Sequence, residues 1–164
     1  MKVVAFCWGN PSRGDDAVGP RFAEWLQRRA FAGVTVIEDF QLQVEHLLDC
    51  QGADLLLFID ACCSEAAAAR FAQVEPVSAV AHTSHALSPA ELLGYYPRVF
   101  HDGPPPPAFQ LTVPGQSFEL GDVMSAGCEA ACRRATGFLE DLLRTPEAGV
   151  WRALVGPVPE TCHA

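Results

Sequence analysis

Apolar positions along the chain follow two rhythms. Val3 to Trp8 is an unbroken apolar run that stops at Gly9-Asn10-Pro11, and Asp54 to Asp60 carries Leu55-Leu56-Leu57-Phe58-Ile59. Short continuous runs of this kind predict strands buried on both faces. Thr35 to Ile37 is a β-branched strand ending at Glu38-Asp39, and Phe71 to Val77 and Ala108 to Val113 read as later strands. Between them the spacing turns helical. Val18 to Ala30 places Phe22, Trp25 and Leu26 on one side, with Pro20 tolerated in the first turn. Val44 to Cys50 predicts a short helix, Pro89 to Tyr96 a helix capped by Ser88, and Val123 to Leu143 a long amphipathic helix.

Strands that alternate with helices predict an α/β fold: a three-layer sandwich with a twisted, mostly parallel sheet and helices on both faces. One domain over 1–164 is expected, without internal repeats and with a poorly ordered tail after Val150. Pro104 to Pro107 reads as a stiff exposed loop. In such sheets chemistry collects at the carboxyl ends of the strands, where strand order reverses. If the order begins 2-1-3, the loop after Trp8 and the strand end at Asp60 are neighbours there.

Composition narrows the function classes. The net charge of −9, with basic residues scattered, argues against nucleic acid and anionic membrane as partners. The longest apolar runs are too short to span a bilayer, and the opening segment is too short for a signal-peptide core, so a cytoplasmic location is expected. Seven cysteines, an odd number without CxxC spacing, fit neither a disulfide framework nor a zinc ribbon. Cys128 and Cys132, four apart on a helix, read as buried thiols.

The segment from Gly9 to Gly19, Gly-Asn-Pro-Ser-Arg-Gly-Asp-Asp-Ala-Val-Gly, holds the most chemistry. Its glycines match neither GxGxxG nor a P-loop, and two aspartates at a helix start repel a phosphate. Either Asp15 or Asp16 alone reads more readily as a cap of that helix than as a functional group. Asp60 and Asp39, each at a strand end, are either structural or functional carboxylates. His82 and His85 lie in a polar loop, where most histidines are merely solvated; His46 lies on a helix, and His101 and His163 look peripheral. Together, Asp16, Asp60 and one loop histidine make an open site for a borderline divalent metal already held by another protein. There is no GxSxG or HExxH, and Cys62-Cys63 have no local support as a protease nucleophile.

The Gly9–Gly19 segment closely resembles the N-terminal signature of NiFe-hydrogenase maturation proteases. Asp39-Phe40-Gln41-Leu42-Gln43-Val44-Glu45 resembles the second-strand loop of the branch serving NAD-reducing or bidirectional hydrogenases. Phe58-Ile59-Asp60-Ala61 resembles the third-strand motif, and Thr83-Ser84-His85-Ala86-Leu87-Ser88-Pro89 the histidine loop. The four blocks keep the family's order and spacing from about Lys2 to Leu143. The resemblance implies a phosphorylase/hydrolase-like sandwich and an aspartic-type endopeptidase. Its metal-contacting positions fall on Asp16, Asp60 and His85, with Asp16 and Asp60 catalytic. Some members have glutamate at the first position, so Asp16 has a shorter reach. His82 matches the histidine position less well.

By the same resemblance the substrate is a hydrogenase large-subunit precursor that already contains nickel, and cleavage removes its C-terminal extension. Nickel then arrives with the substrate, no organic cofactor is held, and the protease works as a monomer. Gly9, Asn10, Arg13, Asp15, Asp39 and Gln41 are expected to order the site loops or bind substrate, with Gly9 and Gly19 serving backbone geometry. A nonenzymatic nickel-sensing chaperone would use the same three ligands. A peptidyl-tRNA hydrolase shares the Gly-Asn-Pro start, but Ser12-Arg13-Gly14-Asp15-Asp16 departs from its pattern and the charge disfavours tRNA.

Overall fold

The computed structural model describes residues 1–78, 87–101 and 103–159. Its six strands are β1 (Val3–Trp8), β2 (Val34–Asp39), β3 (Leu55–Cys63), β4 (Arg70–Val74), β5 (Ala108–Gly115) and β6 (Gly156–Pro157). They form one sheet in the order β2-β1-β3-β5-β4-β6. The β2, β1, β3 and β5 strands run parallel; β4 is antiparallel to both β5 and β6. The expected mostly parallel sheet, with an order beginning 2-1-3, is therefore what the chain forms.

Helices cover both faces. On one side α1 (Val18–Arg29), α4 (Ala126–Arg144) and α5 (Ala148–Ala153) share one core with odd-numbered residues of β1, β3 and β5, such as Ala5, Cys7, Ile59 and Phe109. On the other, α2 (Leu47–Cys50) and α3 (Pro89–Val99) pack on even-numbered ones, such as Val4, Phe6, Leu56 and Phe58. This split follows from the two-residue period of a strand: a run apolar at every position must be covered twice. Ser88 caps α3, with its hydroxyl accepting from the Glu91 amide at 3.3 Å. Among the described residues no helix is long and apolar enough to cross a membrane.

Three expectations need correction. The Val44–Cys50 segment is a 3-10 turn, Val44–His46, followed by one short turn of α-helix. The strand through Asp60 does not end there, because β5 keeps pairing with it up to Cys63↔Gly115. The chain after Val150 is built into the fold at Trp151 and Val158. The Trp151 side chain is fully buried, its indole N–H donates to Leu142 O at 3.2 Å, and its ring lies edge-on to Phe109. Beyond it β6 pairs with β4, and the Val158 amide donates to Ala69 O at 2.8 Å.

Candidate active site

The site arises where β1 leaves the sheet and β3 continues. Pairing between the two stops at Cys7↔Ile59, while β3 goes on alongside β5 through Asp60↔Thr112. Asp60 is thus the first β3 residue without a β1 ladder partner, and its side chain lies on the α2/α3 face with Trp8. This is the switch point of the sheet, since α1 carries the chain from β1 outward to β2 and α2 carries it back to β3.

Asp60 is partly buried, and its Oδ1 accepts the Ala61 amide at 2.7 Å. Burial pushes its pKa up to about 7. The negative charge of Asp16 adds to the rise, and hydrogen bonds from the Ala61 amide and the Trp8 side chain oppose it. Asp60 therefore lies within reach of the Asp16 charge carried by the loop after β1. A carboxyl that titrates near neutrality beside a second carboxylate can take or give a proton at working pH.

Asp16 is set by the loop beneath it. Its Oδ2 accepts the Asn10 amide at 2.7 Å, and its own amide donates to Arg13 O at 3.0 Å. Gly9 has φ +146°, and a Cβ there would stand 2.0 Å from Asp16 O, so only glycine fits beneath the carboxylate. Gly19 allows an equally close approach, since a Cβ there would stand 2.0 Å from Trp8 O. Asn10 Oδ1 accepts the Ser12 amide at 2.9 Å. Arg13 donates through Nε to Phe118 O at 3.1 Å, joining its loop to the same segment whose amides bind Asp15.

Asp15 caps neither the 3-10 turn it belongs to (Gly14–Ala17) nor α1; it serves a distant segment. It is wholly buried, and its Oδ2 accepts the Gln116 and Ser117 amides at 2.7 and 3.0 Å. The Ser125 amide donates to Oδ1 at 2.7 Å and the Ser125 hydroxyl to Oδ2 at 2.8 Å. Burial works against its charge, but the hydrogen bonds outweigh it and hold the carboxyl below its ordinary range. Ser125 also caps α4 by accepting the Cys128 amide at 3.2 Å. Asp15 thereby locks the Asp16 loop to the start of α4, which begins at Ala126 rather than at Val123.

Asp39 ends β2 opposite Trp8, two strands from Asp60 on the same face. Its Oδ1 accepts the Phe40 amide at 2.6 Å, and its Oδ2 lies 3.4 Å from Nε2 of His46. Gln41 is exposed. His82, His85 and His163 lie outside the described residues, so the expected histidine partner of Asp16 and Asp60 does too. Among the described residues no group of three or more His, Cys, Asp or Glu side chains is placed to hold a metal ion. Cys128 and Cys132 are buried, as expected.

Sequence reasoning passed over Trp8, Ser125 and His46. The two polar or charged residues buried among the described ones are Asp15 and His46. Gln43-x-x-His46, with the histidine at the third position of a turn reaching back to the Gln43 amide, was the readable signal for His46.

No family model matches the chain, and no curated protein matches it in sequence. Solved structures do. The hydrogenase maturating endopeptidase HybD from E. coli superposes with a TM-score of 0.66 at 23% identity, over 97% of this chain and 98% of that one. The NiFe hydrogenase maturation protease HycI from Thermococcus kodakarensis gives 0.65 at 19% identity, over 88% of this chain and 93% of that one. HybD from the same organism gives 0.64 at 16%, over 87% and 99%. At these identities the likeness establishes a shared fold along nearly the whole chain: a six-stranded, mostly parallel sheet between two layers of helices.

Proposed function

We propose that this chain is an endopeptidase that removes the C-terminal extension of a NiFe-hydrogenase large-subunit precursor after nickel insertion. The observation that carries the reading is Asp60 at the switch point of the sheet, within reach of the negative charge of Asp16. The fold shared with hydrogenase maturation endopeptidases supports it. The second-strand loop from Asp39 to Glu45 favours a partner of the NAD-reducing or bidirectional type.

Two carboxylates are too few to retain a divalent ion of their own, but they suit an ion that arrives already coordinated. The nickel is therefore part of the substrate, and Asp16 and Asp60 enter its open positions, with His85 as the third contact implied by resemblance. Holding the metal fixes the adjoining peptide bond at the carboxylates. A carboxylate of the pair then takes a proton from the attacking water as its oxygen bonds to the scissile carbonyl carbon. The proton passes to the departing amide nitrogen as the C–N bond breaks. The rest of the site chain works by placement: the Asn10 amide orients Asp16, and the Trp8 side chain and the Ala61 amide orient Asp60.

The test is a comparison of wild type with Asp60→Asn on nickel-loaded precursor. Shortening by wild type alone supports the reading. Equal association without shortening by either protein turns the assignment to a nickel-sensing chaperone.

A further inference from the structure

His46 is buried on the α2/α3 face, its ring edge-on to Phe6 with centroids 5.9 Å apart. Its Nδ1 accepts the Gln43 amide at 2.8 Å. A nitrogen that accepts carries no proton, so the neutral ring is the Nε2–H tautomer. The Nε2 atom stands 3.4 Å from Asp39 Oδ2, a close polar contact rather than a well-aligned hydrogen bond, while the other Asp39 oxygen accepts the Phe40 amide at 2.6 Å. One oxygen of Asp39 is thus fixed by a hydrogen bond, and the other faces the His46 ring.

Asp39 forms one wall of a cleft of about 360 Å³, with Gly9, Pro11, Glu38 and Phe40. The Gly9 amide donates to Asp39 O at 3.2 Å, and the same glycine abuts Asp16. The cleft therefore shares Gly9 with the loop that carries Asp16. Two strand spacings separate Asp39 from Asp60, roughly 10 Å. That is too far for Asp39 to touch the reacting bond and close enough to meet residues next to it in an extended peptide.

We propose that His46 is a positioning residue for peptide binding: it holds Asp39 at the cleft wall, where the carboxylate accepts a backbone N–H of the precursor near its scissile bond. This rests on the endopeptidase reading and adds a subsite to it. Because the contact lies away from the chemistry, its loss weakens binding and spares turnover.

Steady-state cleavage of nickel-loaded precursor by wild type, His46→Phe and His46→Gln tests it. Phenylalanine keeps the packing on Phe6 and removes both ring nitrogens; glutamine returns an N–H donor. His46→Phe should raise KM about tenfold, the worth of one hydrogen bond to a charged group, with kcat within about twofold. His46→Gln should recover at least half of that loss. A purely structural role would reduce kcat and melting temperature together and leave KM unchanged, and that result overturns the proposal. Nitrogen-15 NMR of the His46 ring decides the geometry without any cleavage: Nδ1 unprotonated, and an Nε2 signal that moves in Asp39→Asn. A protonated Nδ1, or an Nε2 indifferent to Asp39, also overturns it. Failure of wild type to cleave overturns the endopeptidase reading and this subsite with it, while the NMR result still stands for the His46–Asp39 contact itself.

Discussion

Asp15 and Ser125, far apart in the chain, are joined twice: the serine amide donates to Oδ1 at 2.7 Å and its hydroxyl to Oδ2 at 2.8 Å. One buried carboxylate thus fixes the loop bearing Asp16 to the helix behind it. Asp15→Ala leaves the amides of Gln116, Ser117 and Ser125 unpaired. The expected loss, read by urea unfolding, is about 3 kcal/mol or more. Asp15→Asn, with one acceptor oxygen, should lose about half as much. The folded carboxyl titrates below its unfolded value, so its stabilisation is present above pH ~4 and disappears as pH falls through the folded value. The stability gap between wild type and Asp15→Ala should narrow on acidification through that range.

Asp60 carries the opposite sign. Its folded pKa of about 7 stands above the unfolded 3.8, so the native state holds the extra proton between those values. Stability contributed by this group therefore falls as pH rises from about 4 to 7, by at most about 1.4 kcal/mol per pH unit. Asp60→Asn should remove that slope. Function runs the other way: ionised Asp60 is the form that meets metal or water, so kcat/KM should fall as pH drops below about 7. Carbon-13 NMR of the Asp60 carboxyl in Asp16→Asn should show a lower pKa than in wild type, because the neighbouring charge is gone.

Gly9→Ala places a Cβ 2.0 Å from Asp16 O at φ +146°. The strain should cost about 2 kcal/mol, and the displaced Asp16 about a hundredfold in cleavage. A variant with wild-type activity would show that the loop tolerates movement beneath the carboxylate.

Much of this was legible in the residues themselves. Val3–Trp8 and Leu55–Ile59 read as buried strands because every position is apolar, and the sheet order followed from the fold's habits. The extension of β3 past Asp60 was not legible, since Asp60-Ala61-Cys62-Cys63 breaks the apolar run and only β5 holds it in the sheet. Trp151 was missed for a related reason: it is one buried side chain among exposed neighbours, with no periodicity to announce it. Trp151→Ala should destabilise by about 3–5 kcal/mol, measured as a loss in urea unfolding free energy. For the site, the sequence singled out Asp16 and Asp60, and the structure lets the charge of one act on the other. Asp15's tie to Ser125 could not be read there, because partners 110 positions apart meet only after folding.

The most direct measurement is the mass of a nickel-loaded large-subunit precursor before and after incubation with the protein, beside nickel-free precursor and the Asp16→Asn variant. The account predicts loss of one defined C-terminal peptide, with nickel present and Asp16 intact, and no change in the other two reactions. A precursor of unchanged mass in the complete reaction, or equal cleavage by Asp16→Asn, would contradict it.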